Sequence, residues 1–152
     1  MPRISSPLTS LPAVKASAYL STNQLDLSMG IWTTVLLDTE SFDVGSNFNT
    51  GTYTFTVPVT GYYQVNYGVS FTNEVAGILY YTRIYKNSNT AMLSMNTGSS
   101  DTNPNLALSS SGVLYLTSTD TLILQARVDT SSTVDLSSGF PATQMSIHLL
   151  SI

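Results

Sequence analysis

The sequence predicts an all-β fold, a ten-stranded jelly-roll β-sandwich. Apolar and polar residues alternate with a period of two between clusters of turn residues, and almost no 3.6-residue helical stripe is found. The composition points the same way, because hydroxyl-bearing residues take the place of charged ones, which make up only 9% of the 152 residues. Thr and Tyr favour strands and Ser favours turns. A chain of this length is expected to fold as one domain with its own apolar core.

The clearest candidate strands flank a turn that contains Pro and Gly. Residues 52–57 place Tyr53, Phe55 and Val57 on one face and three threonines on the other. Residues 62–72 alternate in the same way, and Pro58 and Gly61 between the two runs predict a hairpin. The apolar face of this second run consists of Tyr63, Val65, Tyr67, Val69 and Phe71. The other candidate strands span residues 14–20, 31–37, 77–86, 90–96, 105–109, 112–117, 121–129 and 143–151.

The N-terminal residues differ from the rest of the chain. Residues 1–13 show no periodicity, and they contain Arg3 and three prolines, Pro2, Pro7 and Pro12. We expect residues 1–13 to form an extended N-terminal arm and residues 14–152 to form the jelly-roll domain. Residues 96–105, rich in Ser, Asn, Gly and Pro, are expected to form an exposed loop.

Charge and cysteine content exclude several function classes. The net charge is -4 and the sequence pI is about 4.5, so the positive surface that phosphate binding needs is missing and nucleic-acid binding is not expected. The chain has no Cys, which excludes disulfides and thiolate chemistry. Neither a signal peptide nor an apolar run of membrane-spanning length is found. Membrane association is therefore not expected, and synthesis in the cytoplasm is expected.

One candidate strand is apolar on both faces, which predicts contact with a second subunit. Ile78, Tyr80 and Ile84 lie on one face, and Leu79, Tyr81 and Tyr85 lie on the other. In a two-sheet protein the core covers only one face of a strand. If the other face is also apolar, another molecule has to cover it, and a second copy of the chain could do so. The alternative is that the tyrosines are half exposed at the surface of a single subunit. We expect Leu79, Tyr81 and Tyr85 to lie at a trimer interface.

The only histidine, His148, does not support catalysis. A Ser-His-acid triad needs a positioned acid and a reachable serine, and no nucleophile-elbow motif is present. We therefore expect no catalytic residues, no enzymatic activity and a surface or interface position for His148. A metal held by three His148 rings on a trimer axis is the alternative.

Two further features are candidates for binding sites. Asp38, Glu40 and Asp43 place three carboxylates in six residues, which could bind calcium if they form a loop, although such loops are commonly solvated turns. Apart from this calcium, no cofactor is expected. Trp32, the only tryptophan, is either a core anchor or a platform for sugar stacking. For the stacking alternative the expected ligand surface is Trp32 with Asp101 and Asn103.

Four segments of the chain carry the motifs of one known domain family. The first strand contains Ala16-Ser17-Ala18-Tyr19, and residues 48–63, FNTGTYTFTVPVTGYY, are similar to the family's signature of Asn, a Gly, an aromatic strand, Pro and Gly-x-Tyr. Residues 111–122 and Gly139-Phe140 resemble later family motifs. With these motifs the chain is similar to the globular head of complement C1q and its bacterial and phage relatives, and the resemblance covers about Val14 to Ile152. It implies a trimeric jelly roll shared with the tumour necrosis factors.

The chain departs from the family pattern at two places. Thr119 stands where the family has Gly before Asp120, and Pro141-Ala142 replace the Gly that follows the terminal Phe. Calcium sites of family members are therefore not carried over to this chain. The resemblance implies a homotrimer that serves as a binding and assembly module without a shared catalytic centre.

These observations predict a non-enzymatic virion structural protein, a trimeric capsid cement or decoration protein of a bacteriophage. Its expected partners are copies of itself and the major capsid protein or another virion protein. The arm, with Pro2, Arg3, Pro7 and Pro12, is expected to attach it to the shell. The alternative is a tail-fibre tip or lectin-like module that recognises a cell-surface glycan or protein.

Overall fold

The computed structural model describes residues 12–99, 105–129 and 133–152 and shows twelve β-strands in two sheets. No helix is found in these residues, and none therefore spans a membrane. The strands are β1 (Lys15–Tyr19), β2 (Thr33–Thr34), β3 (Thr39–Val44), β4 (Phe48–Asn49), β5 (Thr54–Thr56), β6 (Gly61–Thr72), β7 (Leu79–Lys86), β8 (Thr90–Gly98), β9 (Asn105–Leu116), β10 (Thr121–Val128), β11 (Asp135–Leu136) and β12 (Gln144–Ser151).

The two sheets pack face to face as a sandwich. In sheet I, β9 and β12 flank β6, β11 pairs with the end of β6, and the sheet continues from β12 to β1 and β3. Sheet II has the order β4-β5-β10-β7-β8, with β2 paired to β10. The named strand pairs of the described residues are antiparallel, which confirms the all-β sandwich.

The core lies between the sheets and follows the alternation of β6. Its five apolar side chains are all buried, which confirms the face predicted for this strand: Tyr63, Val65, Tyr67, Val69 and Phe71. Aromatic rings from the two sheets meet edge to face, with 5.2 Å between the ring centroids of Phe71 and Tyr80 and 6.4 Å between those of Phe55 and Tyr63. These contacts tie sheet I to sheet II.

The predicted hairpin around Pro58 is wrong. Strand β5 pairs with β4 and β10 in sheet II, whereas β6 belongs to sheet I, so the segment between them crosses from one sheet to the other. The Val57 N–H donates to Asp120 O at 2.8 Å, and the Thr119 N–H donates to Val57 O at 2.8 Å. Val57 is therefore held by the turn before β10 rather than by β6.

The number and bounds of the strands also differ from the expectation. Residues 105–109 and 112–117 are one continuous strand, β9, because Gly112 stays in register opposite Val65. The acidic run expected to be a loop is mostly the edge strand β3, which pairs with β1. Of the strand predicted at residues 31–37, only Thr33–Thr34 is a strand. Short pairings such as β2, β4 and β11 raise the count from ten to twelve.

Candidate functional site

The outer face of sheet II presents a row of aromatic and cationic side chains. On β7, Tyr80, Thr82 and Ile84 are fully buried, so the residues between them point outward. The alternation predicted for this strand is confirmed at Tyr80 and Ile84. Because Tyr81, Arg83 and Tyr85 follow one another at a spacing of two, all three side chains lie on this outer face.

Arg83 is the centre of this row. Its guanidinium carbon lies 4.0 Å from the ring centroid of Trp32 and 4.0 Å from that of Tyr85, so an aromatic ring contacts the cation from each side. The Arg83 Nε–H donates to Gln125 Oε1 at 2.9 Å, and Gln125 is itself buried on β10. Burial lowers the pKa of Arg83, against an opposing effect of Tyr85. These residues form the Arg83 stack, defined as Arg83, Trp32, Tyr85 and Gln125.

A second cation extends the row beside the Arg83 stack. The rings of Trp32 and Tyr81 meet edge to face with 6.2 Å between their centroids, and the Arg127 guanidinium lies 5.3 Å from the Tyr81 ring. Arg127 also forms an ion pair with Asp129, with 2.8 Å between Nη2 and Oδ1. The row holds charge and flat apolar surface but no nucleophile with a base, so its geometry suits binding.

Residues of the same chain partly cover the outer face of β7, where contact with a second subunit was expected. Trp32 contacts both Arg83 and Tyr81, and Arg127 contacts Tyr81. Tyr81 and Tyr85 are only half exposed. Leu79 remains 42% exposed at the end of the strand. The tyrosines therefore have partners within their own chain. This arrangement is the alternative given above, in which they are half exposed at the surface of a single subunit.

His148 lies on the opposite side of the sandwich from these residues. It is exposed on β12 in sheet I, where its register partners are Lys15 on β1 and Gln64 on β6. The four residues predicted to form one interface, Leu79, Tyr81, Tyr85 and His148, thus belong to two different outer faces. A carboxylate is not opposite His148 on either neighbouring strand.

The three carboxylates considered for calcium do not converge. Asp38 accepts hydrogen bonds from Ser21 through both oxygens, at 2.8 and 2.7 Å, and Asp43 Oδ2 accepts one from the Phe48 N–H at 2.8 Å. Glu40 is exposed on β3. Within the described ranges, no group of three or more His, Cys, Asp or Glu side chains is placed to hold one metal ion. The strand separates these side chains because it is extended where a loop was expected.

Several predicted site residues fall outside the described residues: Pro2, Arg3, Pro7, Asp101 and Asn103. Pro12 is described and exposed. Trp32 is half buried and belongs to the Arg83 stack, so it is neither a fully buried core anchor nor a free platform. Arg83, Gln125 and Arg127 were not predicted from the sequence as site residues. The spacing Tyr81-x-Arg83-x-Tyr85 was the available signal, since residues two apart share a face of a strand.

Comparison with known proteins agrees with this architecture. Three solved structures are similar in fold: the Eiger tumour necrosis factor of S. frugiperda, with a TM-score of 0.72 and 16% identity over 93% of this chain and 94% of that one; the globular domain of zebrafish complement 1qA, with 0.65 and 17% over 91% and 97%; and murine APRIL, with 0.67 and 13% over 91% and 99%. No curated protein matches the sequence. The C1q domain model matches residues 18–141, most of the chain, and this protein therefore belongs to the C1q domain family.

Proposed function

We propose that this protein is a homotrimeric, non-enzymatic structural module, and that it serves as a decoration protein on a bacteriophage capsid. The observation that carries the trimer is the outer face of sheet I. Across β6, β9 and β12 this face combines exposed aromatic and aliphatic side chains with polar groups that bond to one another and carry no charge. Such a surface can be desolvated at low cost, which is what a subunit interface requires. The exposed Lys15 lies beside this part of the face, on β1. No cofactor is part of this proposal.

The apolar part of the face lies at one end of β6, β9 and β12. The rings of Tyr62 and Tyr115 meet edge to face with 5.1 Å between their centroids, although each residue is at least half exposed. Val113 is 53% exposed and Leu150 43% exposed near them. A cluster of large apolar residues at the surface of one subunit is typical of a contact with another molecule.

The polar part adjoins it on the same three strands. Gln64 donates to Asn66 Oδ1 and Ser111 Oγ at 2.9 and 2.8 Å, Ser111 donates to Asn66 at 2.7 Å, and Asn66 donates to Ser146 Oγ at 3.2 Å. These neutral side chains form hydrogen bonds with one another, so burying them under a second subunit removes no charge from water. His148 lies on this face, and we keep it in the proposed interface.

We assign the interface to sheet I rather than to the face with Leu79, Tyr81 and Tyr85. A subunit contact was expected there because the outer face of β7 is apolar. Within the chain, Trp32 and Arg127 already cover much of that face. A threefold ring joins two different surfaces of each subunit. The outer face of sheet I is proposed as one of them.

Mass measurement in solution tests the trimer. We expect a mass three times the 16.4 kDa of one chain at micromolar concentration. Val113→Glu places a charge where the apolar part of the face meets the polar part, since Val113 lies opposite Gln64, and is expected to give monomers. Leu25→Glu is the matched control, because Leu25 is 63% exposed and lies between β1 and β2, not on β6, β9 or β12. A monomeric wild type, or a Val113→Glu variant that stays trimeric, would reject the proposed interface.

The capsid role rests on the expected N-terminal arm together with a trimeric knob, a combination that suits attachment at threefold points of a shell. Quantitative mass spectrometry of purified particles tests it. Hundreds of copies per particle support decoration, a few to a few tens indicate a fibre or spike tip, and absence rejects a virion role. Deleting residues 1–13 is expected to abolish attachment while the trimer remains.

The Arg83 stack favours a second candidate function, recognition of a ligand by a fibre tip or lectin-like module. Trp, Tyr and Arg are the residues that most often dominate binding energy at protein surfaces. Trp32→Ala is expected to abolish saturable binding to a glycan array if this function is correct. Binding that is unchanged in this variant would remove Trp32 from the recognition surface.

A further inference from the structure

The Arg83 stack contains a positive charge that the chain does not neutralise. In the described ranges, Lys86 pairs with Asp120 and Arg127 pairs with Asp129, whereas Arg83 bonds only to the neutral amide of Gln125. The chain as a whole carries a net charge of -4. Lys15 has no ion pair among the described residues either, but its side chain is exposed, whereas the Arg83 guanidinium is half buried. An anionic ligand would compensate this partly desolvated charge.

The guanidinium is also held in a fixed orientation. Trp32 and Tyr85 contact it from two sides at 4.0 Å, and Gln125 binds its Nε at 2.9 Å. Its two terminal nitrogens, Nη1 and Nη2, make no hydrogen bond to any residue that the structure describes. These nitrogens form a planar fork that matches the two oxygens of a carboxylate or sulfate group. A fork that is already oriented loses little entropy when such a group binds.

The surroundings of Arg83 distinguish a saccharide from a protein partner. In the register of sheet II, Ser94 on β8 lies opposite Arg83 and Asn96 lies opposite Tyr81, and both are exposed. Thr34 on β2 lies opposite Gln125. Hydroxyl and amide groups donate and accept hydrogen bonds, as the hydroxyls of a sugar require. A rim of this kind beside aromatic rings fits a polyhydroxylated ligand better than the apolar core of a protein interface.

We propose that the Arg83 stack is a binding site for an acidic saccharide. The oxyanion of the sugar, a carboxylate or a sulfate, binds Nη1 and Nη2 of Arg83, while the sugar ring packs against the edges of Trp32 and Tyr85. The rim residues Ser94 and Asn96 bind its hydroxyl groups. This inference rests on the recognition function given above as the second candidate, and it does not depend on the trimer or on attachment to a capsid.

Calorimetric titration with three trisaccharides tests the site: trigalacturonate, a sulfated galactose trisaccharide and neutral galactotriose. We expect one or both acidic sugars to bind at least about tenfold more tightly than the neutral one, since a hydrogen-bonded charge contributes this much. The tighter of the two identifies the oxyanion. Equal affinity for neutral and acidic sugars, or no binding of either acidic sugar to the wild type, overturns the proposal.

Variants of the two cations on β7 give the matched comparison. Arg83→Gln is expected to weaken binding of the acidic sugar by about tenfold or more, and Arg83→Lys, which keeps the charge without the fork, by less. Lys86→Gln removes the same charge from the same strand, but Lys86 is already paired with Asp120, so its affinity should stay within about twofold of wild type. Equal losses in Arg83→Gln and Lys86→Gln would show that only net charge matters and would overturn the site.

The mass of each variant in solution separates this inference from the proposed trimer. A monomeric wild type that still binds an acidic trisaccharide through Arg83 supports the site and rejects the trimer. A trimer that binds none of the sugars rejects the site and leaves the trimer supported. If Arg83→Gln dissociates the trimer, the outer face of sheet II is a contact between copies and the proposed saccharide site is overturned.

Discussion

The guanidinium carbon of Arg83 lies 4.0 Å from the centre of the Trp32 ring, and this contact fastens the segment before β2 to the middle of β7. The two residues are distant in the sequence, but Trp32 directly precedes β2 and Arg83 lies on β7, and both of these strands pair with β10. The ring shields one side of a cation that is half buried in the outer face of sheet II. The contact therefore contributes to stability as well as to the shape of the candidate site.

A double-mutant cycle on Trp32 and Arg83 measures this contribution. We expect Trp32→Leu and Arg83→Gln to destabilise the fold with a coupling energy of about 1 kcal/mol, because a partly desolvated cation–π contact is worth this much. Urea unfolding of the wild type, the single variants and the double variant gives the value. The cycle Tyr81→Leu with Arg127→Gln is the control, since Arg127 lies farther from its ring, at 5.3 Å, and should couple less. Strictly additive effects for Trp32 and Arg83 would contradict the assigned contact.

Replacement of Thr119 by Gly is expected to stabilise the protein. Thr119 has φ of 76°, a left-handed conformation that is unfavourable for a β-branched residue and free of this cost for Gly. After subtraction of the greater chain entropy of Gly in the unfolded state, the expected gain is about 0.5–1 kcal/mol. Thr117→Gly in the same turn is the control and should destabilise, because Thr117 is not among the residues with positive φ. A Tm of Thr119→Gly below that of wild type would show that its side chain makes a contact that outweighs the strain.

Replacement of Gly61 by Ala is expected to destabilise the protein. A Cβ at Gly61 would overlap the backbone oxygen of Ser151 and would lie 3.0 Å from Leu149 Cδ1, so β6 and β12 would have to move apart. Overpacking of this kind costs about 1–3 kcal/mol. Gly98→Ala is the control, because its Cβ would be at an ordinary 3.5 Å from Leu79 Cδ2. Thermal unfolding of both variants should lower the Tm only for Gly61→Ala, and equal Tm values would exclude the close approach.

Glu74 is expected to make stability decrease as the pH rises. Burial raises the pKa of Glu74, and the hydrogen bond from Ser99 Oγ, at 3.2 Å, offsets this only in part. Its Oε1 is buried and accepts no hydrogen bond from the described residues. Because the folded-state pKa is above the unfolded value near 4.5, the stabilising effect of protonation is complete below that value and is lost as the pH rises through the folded pKa.

The variant Glu74→Gln removes this loss. Relative to wild type, it should gain stability between about pH 4 and about pH 7, by at most about 1 kcal/mol because the carboxyl group is only partly buried. Urea unfolding across this range measures the difference. Glu40→Gln, which removes an exposed carboxyl group from the edge strand β3, is the control for the loss of one negative charge. A difference between Glu74→Gln and wild type that does not change with pH would show that the carboxyl group titrates normally.

Local alternation predicted which side chains face the core in the long strands. In β6 and β7 the residues expected to face inward are buried, including Tyr63, Phe71, Tyr80 and Ile84. This works because successive side chains of an extended backbone point to opposite sides whatever the partner strand is. The same rule placed Tyr81, Leu79 and Tyr85 on the outer face. Motifs such as Gly61-Tyr62-Tyr63 also pointed to the family that the domain match confirms.

Strand pairing and the candidate site could not be obtained in this way. Pro58 and Gly61 indicate a turn, but the turn carries the chain to the other sheet, since the hydrogen bonds of Val57 go to the turn near Asp120. The acidic residues 38–43 were expected in a loop because their side chains are charged, whereas pairing with β1 makes them an edge strand. Charge in a sequence does not reveal whether a neighbouring strand has free backbone groups to bind.

The sequence by itself therefore determined the class of fold, the faces of the long strands and the family. Only the tertiary structure decided that Trp32 lies over Arg83, that the partners of Tyr81 come from its own chain, and that His148 and Leu79 lie on opposite sides of the sandwich. The physical reason is that the face of a strand depends on local interactions, whereas the pairing of strands depends on residues far apart in the sequence. Side-chain alternation is set by the local backbone, but any strand can offer the same backbone hydrogen bonds to many partners, and the choice among them depends on packing across the whole core.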